Sequence, residues 1–165
     1  MARAGTTGLR YGQLEDIAWY ADNSGFFNID ATLLSGEILL ESEAAEAPMR
    51  IAIALLSNGA QIKPVGIRGA NPWGVFDMLG NVKEWVEDIF NPLGYEGLPT
   101  NGGANTSMGN RNLRMLRGCS YMAPKELCRA ANRFPEIPNQ IQGDQGFRIV
   151  ARPKATIASS KSKRS

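Results

Sequence analysis

Residues 71–86, reading NPWGVFDMLGNVKEWV, constrain the fold of this chain more than any other stretch. Pro72 and Gly74 prevent a long helix from running through its first half. Residues 75–79 are long enough for one helical turn, which we predict there. Gly80 and Asn81 then predict a tight reversal that tolerates positive φ.

After this turn the side chains at 82–87 alternate in character, which predicts a β-strand. Trp73 and Trp85 flank the turn. We expect both indole rings to pack in the core rather than to stack on a ligand. An element with large apolar groups on one face needs other segments to cover it, so we place this segment at the centre of the fold.

The chain has 165 residues, of which 43% are hydrophobic, which is enough for one domain with its own core. Eighteen glycines and nine prolines, with few long periodic runs, favour a loop-rich α+β fold over a helical bundle. There is no run of about eighteen apolar residues, so no membrane span is predicted. No N-terminal segment has the layout of a signal peptide, and the localisation stays open.

The positive charge of the chain is concentrated at its C-terminal end. The net charge is +2, and residues 151–165 contain five basic side chains and no acidic one. Subtracting those five charges leaves −3 for residues 1–150. The folded part is therefore not a basic nucleic-acid surface, and we expect the Ser- and Lys-rich tail at 154–165 to be disordered.

The sequence contains no histidine, which removes the commonest general base and the commonest metal ligand. Ser-His-Asp and Cys-His mechanisms are therefore excluded, as is any zinc site with a histidine ligand. Cys119 and Cys128 are the two cysteines. They are too few for a disulfide scaffold and leave the redox compartment open.

Residues 41–57 predict an amphipathic helix with Pro48 in its first turn and Gly59 at its end. Residues 36–40 fit a short strand leading into it. We expect the helix to pack on the core rather than to bind a membrane, because its apolar run is short and its flanks are acidic. Its apolar side would consist of Met49, Ile51, Ile53, Leu55 and Leu56.

The second half of the chain alternates predicted strands with irregular segments. Strands are predicted at 113–119, 128–133 and 146–151, with polar, proline-containing loops at 121–127 and 134–145. The longest irregular region, 91–112, holds seven glycines and prolines. A stretch of that length is typical of a functional or wrapped surface loop.

Six segments, in this order, resemble the formylglycine-generating enzyme (sulfatase-modifying factor) family. They are ARAGT at 2–6, AWYADNSG at 18–25, the NPWGVFDMLGNVKEW block, RMLRGCS at 114–120, CRAANR at 128–133 and GFRIVAR at 146–152. The resemblance implies a C-type-lectin-like α+β fold with small antiparallel sheets and short helices, formed by residues 1–153 as a single domain.

Two features depart from the family pattern in this region. The family domain carries roughly another half-domain before the ARAGT segment, so we interpret the chain as a fragment or a minimal version. Residues 26–62 are longer than the family connector. We interpret them as an insertion, with a helix, that replaces some of the missing packing.

The family's oxidases hold copper with two cysteines five positions apart in the loop after the RGGS segment, and soft thiolates suit Cu(I). Here Ala123 stands at the first of these positions, and Lys125 or Glu126 stands near the second. Cys119 and Cys128 lie nine positions apart. We interpret them as buried thiols or an incidental disulfide rather than a relocated copper pair, and we expect the oxidase chemistry to be lost.

The resemblance also implies a calcium site that would include Asn81 and Glu84. A hard cation needs several oxygen ligands, and these two residues supply only part of a shell. The alternative is that Asn81 adopts a left-handed turn and Glu84 pairs with Arg117 or Arg148. Both interpretations stay open, and we expect Arg148, like Arg133, to make structural ion pairs.

The intact scaffold without its catalytic thiols favours a non-catalytic recognition domain. Lectin-like relatives serve as variable proteins of diversity-generating retroelements, whose loops between RGGS and GFR bind ligands. We therefore predict that loops 120–127 and 134–145 bind a protein or glycan ligand, since exposed apolar groups on anchored loops suit partner binding. The candidate contact residues are Tyr121, Met122, Ala123, Lys125, Phe134, Glu136, Ile137 and Gln140, with Ile141 as a further exposed apolar group.

The alternative function is a copper oxidase of the formylglycine-generating type, acting on a cysteine of a sulfatase with rearranged thiols. It requires Cys119 and Cys128 to come within bonding range. A non-haem iron oxygenase is disfavoured because the usual facial triad needs two histidines. A third alternative is a structural or regulatory paralogue that dimerises with an active partner; the oligomeric state itself is not predicted.

Overall fold

A computed structural model describes residues 1–37, 47–98 and 100–151. The helices lie in the first part of the chain and the strands in the second, as expected for an α+β domain. The helices are α1 (Leu14–Ile17), α2 (Ala31–Glu37) and α3 (Ala47–Ser57), and the strands are β1 (Lys83–Phe90), β2 (Asn110–Arg117), β3 (Phe134–Glu136) and β4 (Gln145–Phe147).

The strands form one four-stranded sheet in the order β3-β2-β1-β4. β1 pairs antiparallel with β2, and β2 pairs antiparallel with β3. β4 runs parallel to β1, with Glu84 opposite Gly146, so the sheet is mixed rather than purely antiparallel. β3 and β4 form the two edges, and the loop that joins them therefore passes from one edge of the sheet to the other.

The turn predicted at the centre of the fold is present. Gly80 has φ +81° and Asn81 has φ +61°, and β1 begins two residues later, as the alternating pattern predicted. Leu79, just before the turn, is buried in a cluster with Tyr20, Cys119 and Cys128. This segment therefore connects the helical part of the chain to the sheet.

The helical turn predicted at 75–79 is wrong. Gly74 and Asp77 both have positive φ, at +74° and +54°, which a right-handed helix does not allow. The Asn71 side chain instead accepts the main-chain N–H groups of Trp73 and Val75, at 3.0 and 3.1 Å. The core position predicted for Trp73 is wrong too, since 63% of this residue is exposed, whereas Trp85 is half-buried.

The predicted helix at 41–57 is present in the described residues as α3, while residues 41–46 lie outside them. Gly59 follows its end with φ +70°, as expected for a helix stop. Its predicted apolar side is only partly correct. Leu55 is buried and Ile51 packs beside it, whereas the apolar side chains exposed to solvent are Met49, Ile53 and Leu56.

Two predicted strands differ from the structure. Gly36 and Glu37 belong to the end of α2, so no strand begins at 36; residues 38–40 lie outside the described residues. Residues 128–133 contain a turn at 130–131 and no strand. The reason is that this segment is held by Arg117, whose guanidinium donates to the carbonyl oxygens of Ala130, Ala131 and Asn132.

The remaining strand predictions place the elements correctly and their boundaries less well. β2 begins and ends slightly before the predicted 113–119. The closing strand predicted at 146–151 is the shorter β4. The predicted tail at 154–165 lies outside the described residues. No helix in the ranges that the structure describes has the length and hydrophobicity needed to cross a bilayer.

Candidate functional site

The loop at 137–144 joins the two edges of the sheet and is the candidate site. Its first end follows β3, which pairs with β2, and its second end precedes β4, which pairs with β1. Within it, Gln142 Nε2 donates to Glu136 Oε2 at 2.9 Å. The loop is therefore fixed at both ends by the sheet and braced across its middle.

Asp144 fastens the second end of this loop to two other segments. Its carboxylate lies 3.0 Å from Lys83 Nζ and accepts the Ser120 hydroxyl at 2.7 Å. Its carbonyl oxygen accepts the main-chain N–H of Lys83 at 2.9 Å. The side chains of Lys83 and Asp144 are only 16% and 13% exposed, so this ion pair holds the loop more firmly than an exposed pair would.

The two loops predicted to bind ligand lie against each other. A Cβ placed on Gly143 would lie 3.9 Å from the hydroxyl oxygen of Tyr121. Tyr121 itself packs in a buried cluster with Ala21, Ala31 and Leu55, and burial raises the pKa of its hydroxyl. Tyr121 therefore packs beneath the surface beside the 137–144 loop, and it has little exposed area for a ligand.

The 120–123 segment is held by the core through its main chain. Ser24 Oγ donates to the Tyr121 carbonyl oxygen at 2.8 Å, and the Ala21 N–H donates to that of Ala123 at 3.0 Å. Ala123 is buried in the cluster that contains Leu79 and the two cysteines, and Met122 is half-buried against the cluster that contains Tyr121. Of these three predicted contact residues, only Met122 has appreciable exposure.

Lys125 and Glu126 connect the same loop to the start of α2. Lys125 Nζ lies 3.1 Å from Asp30 Oδ2, and Thr32 Oγ1 donates to the Glu126 carboxylate at 2.9 Å. The hydrogen bond to Asp30 raises the pKa of Lys125. Residues 26–37, predicted to be part of an insertion, thus cover one side of loop 120–127.

The predicted contact residues at 134 and 136 lie in β3 rather than in a loop. Phe134 is half-buried, with Lys83 Nζ 5.7 Å from its ring centre, and the Glu136 carboxylate accepts the Gln142 amide. The exposed positions are in the loop itself: Ile137, Gln140 and Ile141 are all exposed to solvent, and Ile141 is 96% exposed. The structure therefore brings the accessible part of the predicted site together at 137–141.

Cys119 and Cys128 form a disulfide bond, and both are 0% exposed. This is one of the two interpretations favoured from the sequence. A disulfide sulfur is not a thiolate, which is the form that binds copper, and no free cysteine occurs in the ranges that the structure describes. The geometry thus fits a structural bond, and copper would require its reduction and exposure.

The two residues assigned to calcium by the resemblance already have other partners. Asn81 Oδ1 accepts the Lys63 N–H, and its Nδ2 donates to the Lys63 carbonyl, both at 3.0 Å. Arg148 Nη2 lies 2.6 Å from Glu84 Oε1, and this hydrogen bond raises the pKa of Arg148. The alternative with a left-handed Asn81 and a paired Glu84 is therefore what the geometry shows. Calcium binding at these residues stays a prediction.

We expect Asn81→Ala to lower the free energy of unfolding by about 2 kcal/mol, because it removes the two hydrogen bonds that the buried Asn81 side chain makes to the main chain of Lys63. Ala also tolerates positive φ less well than Asn. Urea unfolding of the variant and of the original chain measures the difference. Repeating both titrations with excess calcium is the control: a loss that appears only with calcium present would indicate a cation site instead.

A surface that sequence reasoning missed lies around the Glu84–Arg148 ion pair. It is a hollow of about 580 Å³, with apolar lining from Met78, Trp85 and Val150. Its lining comes from segments far apart in the chain, so no local motif marks it. The sequence predicted a core position for Trp85, with no indication that it lines a hollow.

The matching family model is that of the "Sulfatase-modifying factor enzyme 1-like domain", which matches residues 42–153. Among curated proteins, the formylglycine-generating enzyme of Streptomyces coelicolor is 35% identical over 90 residues, covering 53% of this chain and 28% of the enzyme. The serine/threonine-protein kinase pkn1 of Chlamydia caviae is 35% identical over 87 residues, covering 53% of this chain and 14% of the kinase.

Two solved structures share the fold. PvdO from Pseudomonas aeruginosa superposes with a TM-score of 0.59 at 26% identity, covering 88% of this chain and 46% of PvdO. Treponema denticola variable protein 1 superposes with a TM-score of 0.56 at 22% identity, covering 88% of this chain and 41% of that protein. The chain therefore spans less than half the length of each of these relatives.

These similarities confirm the fold predicted from the sequence, a loop-rich α+β domain of the C-type-lectin-like type found in this family. The match of the family model extends over more than half of the chain and includes the sheet, the central turn and the 137–144 loop. The chain belongs to the family of sulfatase-modifying factor enzyme 1-like domains.

Proposed function

We propose that this chain is a non-catalytic recognition domain that binds a protein ligand through the loop at 137–144. The observation that carries the proposal is the anchoring of this loop. It is held by the sheet at both ends, while Ile137, Gln140 and Ile141 at its centre face solvent. A fixed loop loses little conformational entropy on binding.

The side chains on the loop favour a protein over a glycan. Ile137 and Ile141 are branched aliphatic groups, and clustered exposed groups of this kind mark protein–protein contacts. Glu136 and Gln142, which a sugar hydroxyl would need as hydrogen-bonding partners, already bond to each other. A glycan ligand is therefore the weaker of the two predicted classes.

The resemblance to variable proteins of diversity-generating retroelements suggests the genetic system in which such a recognition domain would occur. In such a system, substitutions between copies of the gene would cluster at exposed positions of the 137–144 loop and spare residues such as Tyr121 that support it. A reverse transcriptase with a near-identical copy of the 3′ end beside the gene would identify such a system.

We expect Ile141→Asp to reduce ligand binding at least about tenfold, because it places a charge at the centre of an apolar contact. The test immobilises the full chain, incubates it with lysate of its native cells and quantifies the retained proteins by mass spectrometry. Leu33→Asp is the matched control, because Leu33 is an exposed aliphatic residue on α2, outside the 137–144 loop.

A partner that is retained by the original chain and by Leu33→Asp but lost with Ile141→Asp supports the proposal. A partner retained equally by all three chains, or a retained set that Leu33→Asp alone removes, would contradict it. The stability of both variants is checked by urea unfolding, since an exposed substitution should change the free energy of unfolding by no more than about 0.5 kcal/mol.

One observation favours the alternative of a copper oxidase. Cys119 and Cys128 lie within bonding range, as that function requires. Against it, both residues are buried, and the sulfurs are bonded to each other. Stoichiometric copper binding by the reduced chain, lost on changing either cysteine to serine, would favour this alternative over a recognition domain.

A further inference from the structure

The hollow around the Glu84–Arg148 ion pair has the size and the lining of a small-molecule site. Its volume of about 580 Å³ lies within the range of roughly 300–1,000 Å³ that is typical of ligand pockets. Most of the residues that line it are apolar, and they include Met78 and Trp85. None of residues 137–144 lines it, so the hollow is separate from the ligand-binding loop proposed above.

Charged side chains also line the hollow, and only two of them pair with each other. They are Arg3, Asp77, Glu84, Arg117 and Arg148. The pair is that of Glu84 with Arg148, whose Oε1 and Nη2 atoms are 2.6 Å apart. In the described part of the chain, Arg3, Asp77 and Arg117 form no ion pair. The unpaired side chains therefore leave the lining with two positive charges and one negative charge.

Arg117 is held in place by groups that do not compensate its charge. Strand pairing places it directly opposite Glu84, but the Glu84 carboxylate binds Arg148 instead. Its Nη1 and Nη2 atoms donate to the carbonyl oxygens of residues 130–132, and its Nε–H donates to no acceptor among the described residues. Carbonyl oxygens are neutral, so the guanidinium is fixed in position and remains available to an anion.

Arg3 and Asp77 differ in how they are shared with the neighbouring hollow. The Asn71 side chain donates to the carbonyl oxygens of the first two residues at 3.1 and 3.4 Å, which holds Arg3 beside the first hollow. The Asp77 carboxylate accepts the Gly66 N–H at 2.7 Å, and both residues line the second hollow. Neither Arg3 nor Arg117 lines that second hollow. The first hollow therefore combines an apolar lining with an excess of positive charge.

We propose that this hollow binds a small molecule that combines an apolar body with a single carboxylate. The planar guanidinium of Arg117 matches the geometry of a carboxylate, and Arg3 supplies a second positive charge. The apolar body packs against Trp85 and Val150, which removes its surface from water. Asp77 disfavours a second negative charge on the ligand. A neutral sugar would leave the arginines without an anion and would gain little from the apolar lining.

The test titrates the isotope-labelled full chain with 4-phenylbutyrate and follows the tryptophan indole N–H signals by NMR. Trp85 lines the hollow, whereas Trp19 and Trp73 do not, so these two report non-specific binding. We expect the Trp85 signal alone to shift and to saturate with a dissociation constant of about 1 mM or lower, as ligands of this size allow. The neutral 4-phenylbutanamide has the same shape, and we expect it to bind at least about tenfold more weakly.

Variants that leave the fold unchanged locate the site. Arg117→Gln is the direct change, but Arg117 also holds residues 130–132, so its loss would affect stability as well. Arg3 and Val150 are exposed. We expect Arg3→Gln to weaken binding about threefold, as loss of an exposed charge pair does, and Val150→Asp about tenfold, because it places a negative charge beside the carboxylate. Arg111→Gln removes the same charge from an exposed position outside the hollow and should leave binding unchanged.

Equal affinity for the acid and the amide would overturn the proposal, because the arginines would then not recognise the ligand. Shifts of all three indole signals without saturation would overturn it too, since they would indicate non-specific association with exposed apolar groups. The same holds if the Trp85 signal does not move. An equal loss of affinity in Arg3→Gln and Arg111→Gln would reduce the effect to the net charge of the chain and would contradict a site in this hollow.

Discussion

Gly80→Ala is expected to lower the free energy of unfolding by about 4 kcal/mol, which approaches the whole stability of a small domain. Gly80 has φ +81°, a conformation that costs a residue with a Cβ about 1–2 kcal/mol. A Cβ at this position would also meet the main chain of Trp19, lying 2.7 Å from its nitrogen and closer still to its carbonyl oxygen. Both of these atoms are backbone, so no flexible side chain can move away to make room.

The close approach at Gly80 is enforced by a hydrogen bond from the next residue. The Asn81 N–H donates to the Trp19 carbonyl oxygen at 2.7 Å. Relieving the clash would lengthen this bond and move Leu79 in the buried cluster. The cost of the substitution therefore exceeds that of an ordinary glycine replacement, and overpacking of this kind typically adds 1–3 kcal/mol.

Gly74→Ala is the matched control for this prediction. Gly74 has a similar φ of +74°, but a Cβ there would meet nothing within 4 Å. We expect it to cost only about 1–2 kcal/mol, from backbone strain alone. Urea unfolding of the two variants isolates the effect of the Trp19 contact. If Gly80→Ala proved no more destabilising than Gly74→Ala, the proposed packing of the turn against Trp19 would be wrong.

The sequence predicted those elements that local rules decide. The Gly80–Asn81 reversal and the strand after it follow from positive-φ residues next to an alternating pattern, and both are present. Residues 75–79 show the limit of the same rules. Their composition permits a helical turn, but the buried Asn71 side chain accepts hydrogen bonds from the main-chain N–H groups of Trp73 and Val75 and fixes a different path.

The sequence predicted two candidate ligand loops, but not which of their residues are accessible. The order of the motifs placed ligand contacts at 120–127 and 134–145, and the structure does bring these segments together through Ser120 and Asp144. Burial of Tyr121 and Ala123 depends on contacts with residues 21–31, about a hundred positions away. The polarity pattern of a short loop carries no information about such contacts. A buried apolar residue that supports the loop therefore cannot be distinguished in the sequence from an exposed one that could contact a ligand.

The hollow around the Glu84–Arg148 ion pair could not be predicted because it has no sequence signal of its own. It exists where β1, the 76–79 segment and the 147–150 segment meet. The pairing of Glu84 with Arg148 was one of two interpretations considered, and it depends on β4 running parallel to β1. That arrangement is a property of the sheet topology and is not encoded in any single segment.

Replacing the disulfide bond by Cys119→Ala with Cys128→Ala is expected to lower the free energy of unfolding by about 3–4 kcal/mol. The bond closes a loop across a sequence separation of nine residues, and the chain-entropy model assigns about 2–3 kcal/mol to a closure of that size. Loss of two fully buried sulfur atoms removes further contacts with Leu79 and Ala123 in the same cluster, which costs about another 1 kcal/mol.

The effects of the covalent bond and of core packing can be separated by comparing urea unfolding with and without a reductant. The original chain should lose about 2–3 kcal/mol when it unfolds under reducing conditions, whereas the double variant should not respond. Because both sulfurs are 0% exposed, reduction should also be slow until the chain begins to unfold. Rapid titration of two thiols in the native chain would contradict the buried bond and would support the metal-binding alternative, since only reachable thiolates can hold copper.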